Sequence, residues 1–261
     1  MDWAITLTGF GVGTLVGLTG VGGGSLMTPI LIFLFQVSPI VAVGTDLLFA
    51  AITKCGGIWA HSRRNNIHWK IVGLLATGSL PTAIITVYVL GRFNAAEIHV
   101  ETLVTGGLGV ALILTSLSLL FKRSMKRFGN QIKKATPNWR SLRGPVTVIS
   151  GILLGILVPI SSIGAGALGA AMLLFLYPSI PTRKIIGTDL AHAVPLTAIA
   201  GFGHLQIGTV DLALLGGLLL GSLPGIYLGS HMSTRIPEKI MQPVLASMLM
   251  LIGAKFIFVN G

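Results

Sequence analysis

Apolar stretches close to the length needed to cross a bilayer follow one another along this chain, separated by short polar breaks. No other feature narrows its fold as much. They fall at roughly 3–19, 22–36, 39–60, 70–91 and 98–121, and again at roughly 145–161, 164–177, 184–203, 209–230 and 238–258. A soluble domain carries about 25% charged residues; this chain has 10%, with a mean hydropathy of +0.87. A large buried core can also be apolar, but it would keep polar helix faces, which are missing along nearly the whole length. The chain reads as an all-α integral membrane protein whose surroundings are the lipid bilayer. "MDWAITLTG" has no basic n-region and no A-x-A cleavage site, so it reads as mature sequence and not as a signal peptide.

The stretches are arranged as a duplication. "VGTDLLFA" (43–50) recurs as "IGTDLAHA" (186–193), and "TGSLPTAI" (77–84) as "LGSLPGIY" (220–227), both at an offset of 143 residues. His61 then falls on His204 and Gly73 on Gly216. The earlier part aligns at 142, pairing Gly9 with Gly151, Gly13 with Gly155, Gly22 with Gly164, Gly24 with Gly166 and Pro39 with Pro181. One inserted residue after Pro181 reconciles the two offsets. The organisation predicted is a first transmembrane repeat over 1–121, a basic cytoplasmic linker over 122–143 and a second repeat over 144–261. Each repeat holds five hydrophobic segments, the first two of them short.

The linker "KRSMKRFGNQIKKATPNWRSLR" has eight basic residues and no acidic one. Lys and Arg concentrate on the cytoplasmic side of membrane proteins. That rule accounts for the net charge of +11 without nucleic acid, which is not expected as a partner. It also places the loop 61–69 in the cytoplasm. If "GILLGILVPISSIGAGALGAAMLLFLY" (151–177) crosses once, the halves are parallel and Arg183, Lys184, Arg235 and Lys239 lie outside. If it forms a hairpin, the halves are inverted and those four face the cytoplasm. The charge rule favours inversion, with both termini outside.

At "GVGGGSLMTP", the paired "GTDL" segments and the paired "GSLP" segments, the chain resembles the TauE/SafE-type sulfite exporter family, or sulfite/sulfonate permease group. The resemblance runs through both halves in the family's motif order. It implies a membrane permease for small sulfur-containing anions such as sulfite, sulfonates and organosulfur acids. Family descriptions count eight helices, so four plus four is the alternative to five plus five. In the second half "SIGAGA" replaces "GVGGGS", which implies unequal contributions to a site.

Glycine has two uses in the first of these stretches. Gly9, Gly13 and Gly17, spaced by four, suit close helix packing. Gly22, Gly23 and Gly24 cannot share one face; with Ser25 they suit a break between short helices, where free N–H groups meet an anion. Irregular backbone of this kind is tolerated in a membrane where it is buried or lines a cavity. Gly164 and Gly166 supply the matching half-site, and Thr45 and Thr188 stand near it in the "GTDL" motifs. Asp46 and Asp189 are intramembrane carboxylates, read either as helix caps or as proton or cation coupling sites. His192 lies one turn after Asp189, for a proton relay or a static hydrogen bond. Lys54 either snorkels to the interface or attracts the anion electrostatically. His61 and His204 end equivalent segments and are placed at interfaces. The single cysteine, Cys55, excludes an internal disulfide and a cysteine metal cluster. No metal and no cofactor is expected, and no catalytic constellation points to an enzyme.

The function predicted is transport of a small anion by alternating access, with substrate where the repeats meet. A channel-like anion pore and a non-transport membrane module are the alternatives. Export of a monoanion needs no coupled ion when the inside is negative, whereas uptake needs H⁺ or Na⁺.

Overall fold

A computed structural model of the chain describes residues 3–19, 24–63, 65–95, 100–136, 138–232 and 238–259; at 19, 24–25, 59–60, 94–95, 123, 140, 238–241 and 259 it describes the backbone alone. Eleven helices make up the described residues: α1 (Trp3–Thr19), α2 (Gly24–Phe35), α3 (Pro39–Arg63), α4 (Trp69–Ala95), α5 (Val100–Leu120), α6 (Lys122–Ala135), α7 (Trp139–Ser161), α8 (Ala167–Leu176), α9 (Thr182–Ile207), α10 (Leu212–Met232) and α11 (Glu238–Val259). Within them, six are long and apolar enough to cross a membrane: α3, α4, α5, α7, α9 and α10. The remaining apolar helices, α1, α2, α8 and α11, offer shorter apolar stretches.

Ten of the eleven helices follow the hydropathy pattern, most of them starting or ending within a turn of the expected boundary. The exception is α6, a helix within the basic linker, for which hydropathy predicted no element. It is strongly amphipathic: basic residues occupy one face, and Met125, Phe128 and Ile132 the other. Gly129 lets α6 press against the backbone of Phe175 in α8. The Phe128 and Phe175 rings stack at 5.9 Å, and Lys133 Nζ donates to Ser179 Oγ at 2.8 Å.

Close packing of backbones explains the evenly spaced glycines. Gly9 and Gly13 of α1 lie against Leu218 and Ser222 of α10, where an added Cβ would sit 2.5 Å from each carbonyl oxygen. On α7, Gly151 and Gly155 lie in the same way against Leu75 and Ser79 of α4. Residue numbers rise together in both pairs, so α1 runs parallel to α10 and α7 parallel to α4.

Two further pairs run antiparallel. At one end of α3, Gly44 abuts His204 and Thr209; at the other, His61 and Asn66 abut Gly187 of α9. Two cross-links pin these ends. The Asp211 N–H donates to Thr45 Oγ1 at 3.0 Å, and the His68 N–H donates to Thr188 Oγ1 at 2.9 Å. Every one of these contacts matches its counterpart at the sequence offset of the duplication. α5 and α11 also run antiparallel, through Gly109 against Gly253 and Ser116 Oγ donating to Ala246 O at 2.7 Å.

α3 and α9 occupy the middle of the bundle. Ala42, Val43, Leu47, Phe49 and Ala50 of α3 are buried, as are Ile185, Ala193, Leu196 and Ala200 of α9. Apolar side chains on α4, α10 and α11, such as Ile85, Tyr88, Tyr227 and Leu251, face outward, as lipid-exposed surfaces require.

Candidate functional site

The helix in "SSIGAGA" breaks between α7 and α8. Ser162 adopts a left-handed conformation with φ 56°, and Gly164 and Gly166 have φ 113° and 148°. The last two are values that a side chain strongly disfavours. α7 therefore stops at Ser161 and α8 begins at Ala167, leaving irregular backbone inside the bundle. Its counterpart around "GVGGGS" is described only in part. Gly22 and Gly23 lie outside the described residues; Gly24 and Ser25 form the backbone of the first turn of α2.

Lys54 of α3 reaches this break. Its Nζ donates to Ala165 O at 2.8 Å, and the residue is buried, not snorkelled to an interface. Its charge interacts with two carboxylates, those of Asp46 and Asp189. Asp189 of α9 stands against the first turn of α8, where Gly169 leaves room for its Oδ1. A negative group there is favoured by the helix dipole. Gly166, Ala167, Lys54 and Asp189 together line a cavity of about 360 Å³. His61, Ser118 and Lys122 also line it, on the side toward the ends of α3 and α5. Ligand pockets usually measure about 300–1,000 Å³, so this one suits a small solute.

The remaining residues singled out in the sequence divide into two groups. Asp46, on α3, is fully buried and its Oδ2 accepts a hydrogen bond from the Thr28 hydroxyl at 2.5 Å. His192, also fully buried, pairs its Nε2 with Ser79 Oγ at 2.7 Å, and no hydrogen bond joins it to Asp189. Thr45 and Thr188 stand apart from the cavity, their hydroxyls held by the two backbone cross-links between α3 and α9. His204 is buried and does not sit at an interface. Its Nε2 donates to Pro159 O at 2.9 Å and its Nδ1 pairs with Thr209 Oγ1 at 2.8 Å. Its equivalent, His61, lines the cavity. Among the described residues no group of three or more His, Cys, Asp or Glu side chains could hold a metal ion.

Sequence reasoning missed Thr28, Ser79, Ser162 and the carbonyl of Ala165. The repeated "GSLP" motif carried Ser79, and the serine pair beside the break carried Ser162. Thr28 lay within the quoted "GVGGGSLMTP", but nothing there tied it to Asp46.

Six helices long and apolar enough to cross a membrane, packed around buried polar groups, mark a multi-pass integral membrane protein. The chain belongs to the sulfite exporter TauE/SafE family, whose model matches residues 5–256. It is 38% identical over 262 residues to the "Probable membrane transporter protein YjnA" of Bacillus subtilis, covering 98% of this chain and 100% of that one. It is 29% identical to the "Probable membrane transporter protein YdhB" of the same organism, over 95% of this chain and 99% of the other. With the "Probable membrane transporter protein MJ0441" of Methanocaldococcus jannaschii it shares 25% identity, over 95% and 92% of the two chains. No solved structure matches it significantly.

Proposed function

We propose that this protein is a secondary transporter of a small anion, and that sulfite or a small sulfonate such as sulfoacetate is the class it carries. The observation that carries the reading is Lys54. Charged groups within membrane spans are costly, and they mark substrate or ion paths. This one projects from a membrane-spanning helix to the break between α7 and α8, in a cavity of about 360 Å³. The first backbone N–H groups of α8 add partial positive charge at the same place. The site then consists of Lys54 with Gly164, Gly166 and the start of α8. Gly24 and Ser25 at the start of α2, with Gly22 and Gly23 preceding them in the sequence, supply the corresponding half in this reading. The family description supplies sulfite as the first substrate to try.

The transport cycle follows from the architecture. We read the halves as inverted repeats of five helices, with α6 on the cytoplasmic surface. The antiparallel α3–α9 and α5–α11 pairs and the parallel α1–α10 and α7–α4 pairs support this, because equivalent residues make equivalent contacts. Inverted repeats permit alternating access by exchange of conformations between halves. The cavity at His61 is the open side. The buried His204, bonded to Pro159 and Thr209, closes the opposite one. Asp189 opposes an incoming anion unless Lys54 or a coupling ion offsets it, which makes Asp46, Asp189 and His192 the coupling groups. A negative interior favours export of a monoanion by about 2.3 kcal/mol per 100 mV.

Proteoliposome flux with labelled sulfite, thiosulfate, sulfoacetate and taurine tests the reading. Saturable movement of at least one anion is expected. No movement of any of them would remove the substrate class, and single-channel conductance in planar bilayers would replace the carrier with a pore.

A further inference from the structure

The two buried acids stand in different settings. Asp189 faces the cavity, whereas Asp46 is sealed among α2, α3 and the end of α7. The Thr28 hydroxyl donates to its Oδ2 at 2.5 Å. Its Oδ1 is buried and makes no hydrogen bond. Ser162 stands close enough to the same carboxylate to interact with it, but its buried Oγ makes no well-formed hydrogen bond. An orphaned carboxylate oxygen beside an orphaned hydroxyl is an unfilled ligand set. The end of α7 adds to it. Among the described residues no backbone N–H reaches Ile160 O or Ser161 O, and a helix C-terminus carries partial negative charge.

Charge counting points the same way. Lys54 is the ammonium whose charge interacts with both acids, and it donates to Ala165 O. When both acids are ionised, two carboxylates and one ammonium leave a single negative charge uncompensated within the membrane, where unpaired charge is very costly and is removed by a bound cation or a proton. A monovalent cation closes this deficit and a divalent one overshoots it. The oxygens available are the hard ligands that small cations prefer.

We propose that Asp46 Oδ1, Ser162 Oγ and the carbonyl end of α7 form a Na⁺ site, resting on the transport reading for its role as the coupling site. The second half does not repeat it. The positions equivalent to Thr28 and Ser162 are Ala170 and Gly20, so one Na⁺ binds per chain. With Na⁺ in place, Lys54 is released from balancing two carboxylates and its charge becomes available to an anion.

The test is binding of Na⁺ to the purified full-length protein in detergent, read as thermal unfolding by intrinsic fluorescence. NaCl is titrated against KCl and choline chloride at constant ionic strength and pH. A saturable rise in melting temperature is expected with Na⁺ alone, absent in Asp46→Asn. Ser162→Gly removes the hydroxyl while suiting the left-handed backbone, so it keeps the fold; it should raise the half-saturating Na⁺ concentration about tenfold or more. Equal melting in all three salts would overturn the proposal. So would a Na⁺ response retained in Asp46→Asn, or a response to pH alone that Asp46→Asn removes, which assigns the position to a proton. Since binding is read without flux, loss of the Na⁺ site leaves anion transport standing, and failure of anion flux leaves a Na⁺ shift intact.

Discussion

Replacing Lys54 by glutamine separates its two tasks. The first is attraction of the anion. Unit charges about 4 Å apart interact by about 4 kcal/mol at an effective dielectric of about 20. Each 1.4 kcal/mol is a factor of ten, so Lys54→Gln should weaken anion affinity by about two to three orders of magnitude. The second task is balancing Asp46 and Asp189, with both of which the Lys54 charge interacts. Stranding a buried charge costs about 3–5 kcal/mol, so the variant should also melt at a markedly lower temperature. Asp189→Asn in the Lys54→Gln background removes one stranded charge. It should recover most of the melting temperature and none of the transport. The assays are labelled sulfite efflux from proteoliposomes over a range of concentrations, and thermal unfolding of the same preparations. A Lys54→Gln variant that keeps its KM within twofold would refute the anion role. A double variant that melts no higher than Lys54→Gln would refute the balancing role.

Other outcomes follow from the packing. Gly13→Ala places a Cβ 2.5 Å from Ser222 O, whereas Gly11→Ala on the same helix meets nothing within 4 Å. The first should lower thermal stability by about 1–3 kcal/mol, and the second should leave it unchanged or raise it by up to about 1 kcal/mol. His204→Ala gives up bonds to Pro159 O and Thr209; it should cost about 1–3 kcal/mol and raise passive leak of anion through proteoliposomes, whereas loss of stability without leak would reject its closing role. A reporter fused after the C-terminus should signal from outside the cell, and a cytoplasmic signal would reject inverted halves.

Hydropathy was enough to place ten helices, because an apolar run of given length has few alternatives in a membrane. The break at Gly164 and Gly166 was legible through the duplication: they align with Gly22 and Gly24, in a run of three glycines with no common face, which packing does not explain. The site was less legible. Lys54 could have snorkelled, since its sequence neighbours are as compatible with an interface as with a cavity. What decided the matter was Ala165, 111 residues away. Asp46 stood out as an intramembrane acid, but its partner Thr28 lies on another helix and looks like any other threonine there. His192 shows the converse. Spacing suggested Asp189 as its partner, and Ser79 on α4 takes the bond, because helical spacing fixes a face and not the neighbour that face meets. The helix α6 was obscured by its own charge, which marks a cytoplasmic segment whether or not it is folded.

The pairing of α1 with α10 has a consequence for how the protein is made. α1 leaves the ribosome before the other described helices, and the backbone surface it packs against belongs to residues about 200 positions later. At about 5–20 residues per second, α1 waits roughly 10–40 s in the bilayer with its glycine face uncovered. α7, by contrast, finds α4 already inserted. Biogenesis is therefore lopsided even where the finished contacts match. Truncated chains ending before α10 should be the ones that quality-control proteases recognise.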